Sequence, residues 1–155
     1  MKILLVNYNH DLVGGCETMY HYLHQAFPDS EFISIIKMFK GDLKEASEEF
    51  DKYILERNKS EDILVIKEIE IGGVLNTSKV KQINLFQNPY LEIMNKFNIG
   101  YNPWIFDKSR KVFGKKIAVS NYMKEKLNLI DVLPNCVDMD VFRPIENNKL
   151  RIKYI

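Results

Sequence analysis

Lys2-Ile3-Leu4-Leu5-Val6-Asn7, followed by a polar stretch that closes on Gly14-Gly15, decides the fold class of this 155-residue chain. Four consecutive apolar residues between a lysine and an asparagine, with no polar alternation, predict a central parallel strand covered on both faces. From Cys16 the period changes, and Met19 or Tyr20, Leu23 and Phe27 share one helical face until Pro28-Asp29 stops the pattern. A strand, a glycine turn and a helix open an α/β unit.

The rest of the chain repeats that alternation. Residues 31–36 read as a second strand. Residues 42–56 read as a charged amphipathic helix with Leu43, Ala46, Phe50 and Ile54 as its apolar stripe and an acidic outer face in water. A third strand fits 62–66, and 69–74 fits a short helix better than a strand. A fourth strand over 80–87 is ended by Asn88-Pro89, because proline removes a ladder donor and restricts the residue before it. Helices are expected over 90–97 and 103–113, a fifth strand over 115–120, a helix over 121–127 and a sixth strand over 130–133. Strands alternating with helices in this way give a doubly wound, mainly parallel, Rossmann-like α/β sheet.

A single domain of this length buries roughly 70% of the surface its unfolded chain exposes. Hydrophobic residues at 46% and charged residues at 28% exclude disordered, collagenous and disulfide-scaffold classes. A net charge of +1 gives no footprint for nucleic acid. Charge is less even locally: between 106 and 126, Lys108, Arg110, Lys111, Lys115, Lys116, Lys124 and Lys126 face Asp107 and Glu125, a balance of +5. The two cysteines, Cys16 and Cys136, read as reduced thiols of a cytoplasmic protein, since the first residues form a core strand rather than a signal peptide. No apolar run approaches the roughly 20 residues that span a bilayer.

In an open parallel sheet ligands sit beyond the carboxyl ends of the strands. That directs attention to the loops after residues 7, 36, 66, 87, 119 and 133. At Gly14-Gly15 the backbone can approach a ligand closely, and the helix beginning there offers free N–H groups and the positive end of its dipole to a phosphate. The same pair also fits a tight turn with no ligand. Glu17 in the first helical turn complements the dipole, and its carboxylate would repel a phosphate, so contact with a sugar hydroxyl or a second domain suits it better. His10, His21 and His24 have no carboxylate or cysteine set at metal spacing, and no metal is expected.

The first strand, Gly14-Gly15-x-Glu17, Ala118-Val119-Ser120-Asn121-Tyr122-Met123-Lys124 and Leu133-Pro134-Asn135-x-Val137-Asp138-x-x-x-Phe142-Arg143-Pro144 occur together in this order. The combination resembles family 4 of the retaining glycosyltransferases, enzymes of two Rossmann-like domains facing across a cleft. The resemblance implies a first, acceptor-side domain over 1–144 and, over 145–155, a linker and the start of a nucleotide-sugar domain. It implies metal-independent transfer of a sugar from a nucleotide-sugar donor to a glycan, lipid-linked or small-molecule acceptor, with no further cofactor. Gly14 and Gly15 would face the donor diphosphate, where preorganised N–H donors stabilise the charge that develops on the leaving group. Ser120, Asn121 and Asn135, which stand in the matched motifs, would with Glu17 meet acceptor or sugar.

Two departures matter. Many members of the family carry a histidine near the donor sugar where this chain has Gln87-Asn88-Pro89-Tyr90. Neutral amides hydrogen-bond hydroxyls but accept no proton near pH 7, so Gln87, Asn88 and Tyr90 are assigned to sugar or acceptor contact, with strand capping and core packing as the alternative. Cys136 replaces the usual glycine after Pro-Asn. No catalytic residue can be named, the nucleotide-binding half has no counterpart here, and the chain alone is expected to be inactive and prone to self-association through its cleft face. Trp104, with Lys108, Arg110 and Lys111, suits either peripheral contact with the inner face of the membrane or a helix packed on the sheet with its lysines in water. The competing functions are a non-catalytic domain that binds a sugar or a protein partner, which a stop codon directly after Ile155 would favour, and a flavodoxin-like phosphate or nucleotide binder.

Overall fold

The computed structural model describes residues 1–7, 15–39, 43–68, 75, 77–87 and 113–135. Strand β1 (Lys2–Asn7) is the centre of the molecule: Leu4, Leu5 and Val6 are fully buried. Helix α1 (Gly15–Ala26) follows and packs through Met19, Tyr20 and Leu23. Phe27, expected on the same stripe, is 44% exposed. It lies one residue past the helix, in a turn closed by Phe27 N–H to Leu23 O (2.9 Å) and Ser30 N–H to Phe27 O (2.8 Å), so the helical period no longer sets its direction.

Strand β2 (Glu31–Ser34) is shorter than the sequence suggests, because Ile35 opens a one-turn helix α2 (Ile35–Met38). A short apolar run does not distinguish strand from helix, and Ile35 stays in the core in either form. Helix α3 (Leu43–Arg57) buries Ala46, Phe50 and Ile54, the four-residue spacing of its apolar stripe. Strand β3 (Ile63–Glu68) runs two residues beyond the expected end, so Lys67 and Glu68 are strand residues, both buried.

Strands β4 (Lys81–Phe86) and β5 (Lys115–Ala118), helix α4 (Asn121–Lys126) and strand β6 (Asp131–Val132) complete the described elements. The expectations for 69–74 and for helices over 90–97 and 103–113 lie outside the described residues.

All six strands are parallel, in the order β2-β1-β3-β4-β5-β6. The chain moves one way from β1 to β2 and back across β1 to β3. With right-handed crossovers, that reversal places α1 and α3 on opposite faces. The core divides accordingly. Leu4, Val6, Ile33, Ile63 and Val65 pack under α3 with Phe50 and Ile54, while Leu5, Ile66, Leu85 and Val119 pack under α1 with Met19 and Tyr20. The sheet is thus doubly wound.

At Gly114, just before β5, φ is +86° and an added Cβ would lie 2.4 Å from Gln82 O, so only glycine fits. Asn84 Nδ2 donates to Phe113 O (2.7 Å) and holds the same entry from β4.

Candidate functional site at the carboxyl edge

The strand order reverses between β1 and β3, which makes the crevice beyond their carboxyl ends the expected ligand position. β1 ends there on Asn7, paired in register with Ser34 of β2. Val6 pairs with Lys67, so one residue later Asn7 and Glu68 lie side by side on neighbouring strands. Alternation fixes their face: Leu5 and Ile66, two residues earlier, pack under α1, and therefore Asn7 and Glu68 project on the α1 side. Glu68 pairs with Leu85, and Gln87 follows two residues further out along β4 on that same side.

This row is polar and withdrawn from water. Asn7 is 1% exposed, Glu68 5% and Ser34 6%. Neither carboxamide atom of Asn7 has a hydrogen-bond partner among the described residues, and the same holds for Gln87 Nε2. A buried polar group in that state costs roughly 1–3 kcal/mol.

Gly15 is the first residue of α1, so the helix begins at the expected glycine, and Glu17 stands half-buried in its first turn. Gln87 directly follows β4. Ser120 is the N-cap of α4: its Oγ accepts from Met123 N–H at 3.2 Å, which commits it to the helix. Asn121 opens α4 and is exposed, as is Asn135, three residues beyond β6. Gly14, Asn88, Tyr90, Trp104, Lys108, Arg110 and Lys111 lie outside the described residues.

Strands stand about 4.8 Å apart, so β4 is about 10 Å from β1 across the sheet and β6 about 19 Å. Asn7, Glu68 and Gln87 therefore stand at the ends of three adjacent strands within about 10 Å across the sheet. Asn135 belongs to the far end of the edge. Sequence reading missed Asn7 and Glu68. The signal for Asn7 was present, a carboxamide closing an otherwise apolar run, whereas Lys67-Glu68 looks like a charged exit from the sheet.

The opposite face of the same edge is different. Lys67 is fully buried on the α3 side, and burial lowers its pKa from the ordinary lysine value to about 8, with the Asp51 carboxylate opposing the shift. Asp51 Oδ1 also accepts from Leu75 N–H, holding a buried leucine at φ +52°.

His21 and His24 pack against the Phe32 ring with centroids 5.4 and 4.8 Å away, and His24 Nδ1 lies 2.9 Å from Ser30 Oγ. Among the described residues no three His, Cys, Asp or Glu side chains form a group that could hold a metal, and no helix is long and apolar enough to cross a membrane. A shallow open groove of about 620 Å³ between Lys52, Tyr53, Glu56, Arg57, Lys59 and Ser60 lies at the other edge of the sheet. Comparison with family models, curated proteins and solved structures gives no match to this chain.

Proposed function

We propose that this domain is the acceptor-side half of a metal-independent, retaining glycosyltransferase that acts in the cytoplasm on a nucleotide-sugar donor. The observation that carries this reading is the position of Gly15. It opens a twelve-residue helix at the switch point of a doubly wound sheet, on the face where Asn7, Ser34 and Glu68 form a buried polar row. The amides at that helix start would meet the donor diphosphate, and Asn7, Glu68 and Gln87 the acceptor. Leu133, the first residue of the matched motif, directly follows β6 at the end of the sheet, and a second, nucleotide-binding domain would attach from there.

The test is to incubate the open reading frame containing this chain with UDP-, GDP- and ADP-sugars and to measure released nucleoside diphosphate. Release with the whole frame and none with residues 1–155 is expected. No release from any donor, with or without hexose acceptors, overturns the enzyme.

The strand order itself favours a second reading, because 2-1-3-4-5 is also the order of flavodoxin-like phosphate binders. A phosphate ligand would then saturate the α1 start of the isolated chain. Titration calorimetry with flavin mononucleotide tests this alternative, and absence of heat removes it.

A further inference from the structure

We draw no further inference here: the strongest candidate, the surface patch at the β6 end of the sheet, where Ile130 and Leu133 flank the last strand and are exposed, carries nothing because no feature of the described residues shows what covers it.

Discussion

The two edges of the sheet handle polar groups in opposite ways. At the amino edge charges are paired and in contact with water: Arg57 grips Glu31 at the start of β2, Lys81 meets Asp62 at 2.7 Å, and Lys115 meets Asp131 at 3.2 Å. At the carboxyl edge polar groups are buried: Asn7 has no partner among the described residues, and Lys67 holds its charge against desolvation. Both edges belong to the same strands and share the same core, so neither composition nor strand propensity explains the difference. Buried amide oxygens without a partner among the described residues also occur at Gln82 and Asn84 of β4, so what sets the carboxyl edge apart is that both amide atoms of Asn7 lack one there and that a charge, Lys67, is buried beside it.

The sharpest way to break the amino edge is Gly114→Ala. The new methyl group requires a positive φ and meets the Gln82 carbonyl, so strain and overpacking together should cost about 4 kcal/mol, read as a drop in the urea midpoint. An unchanged midpoint would mean that the β4–β5 contact is easily rebuilt.

At the carboxyl edge the largest effect should have the opposite sign. Below about pH 8, Lys67 is protonated in both the folded and the unfolded chain, and the full penalty of burying its charge is present. Between about pH 8 and 10.5 the folded chain releases its proton first, so stability rises with pH; above that window the penalty is gone. Lys67→Met should therefore stabilise the domain at pH 7 by up to about 3 kcal/mol and flatten the alkaline rise. A destabilised Lys67→Met, or a wild-type profile flat from pH 8 to 10, would show that Asp51 and its neighbours fully compensate the charge.

The comparison also explains what was legible in the sequence. Strand β1, helix α1 and the α3 stripe of Ala46, Phe50 and Ile54 could be read because burial on a regular element writes its own period. The start of α1 at Gly15 could be read because the helical period begins directly after the glycine pair. Ile35 could not be placed, since an apolar residue is buried equally well at the end of a strand or the start of a helix. Glu68 and Lys67 were hidden for a stronger reason. Charge normally marks an exit to water, and a buried charge obeys a constraint of function or electrostatics that no local pattern carries. Ser120 was singled out with the matched motif and turned out to cap α4, a role that its position ahead of Asn121 also allowed.

Asn7→Leu tests the same contrast on the α1 side. If the carboxamide does not serve the fold, removing it should raise stability by about 1–2 kcal/mol. Loss of stability would instead mean that Asn7 is satisfied in solution and belongs to the scaffold, making the two edges alike. The readouts are the thermal midpoint and the urea midpoint of the 155-residue chain.

Arg57→Lys should have the smallest effect and closes the comparison from the amino side. The guanidinium reaches Glu31 through two nitrogens at 3.2 and 2.9 Å, Tyr53 Oη at 3.0 Å and Glu61 at 3.1 Å. Glu31 raises the guanidinium pKa well above its ordinary value, so Arg57 stays charged. Lysine can replace only part of that fork, and the loss should be about 1 kcal/mol because Glu31 is 37% exposed and water screens the pair. Salt distinguishes the two edges here. The Arg57→Lys difference should shrink between 0.1 and 1 M sodium chloride as the Debye length falls from about 10 to 3 Å, while the Asn7→Leu difference, which involves no charge, should not move. A salt-insensitive Arg57→Lys would assign the amino-edge contribution to packing of Arg57 over the Tyr53 ring, 6.0 Å from its centroid, rather than to ion pairing.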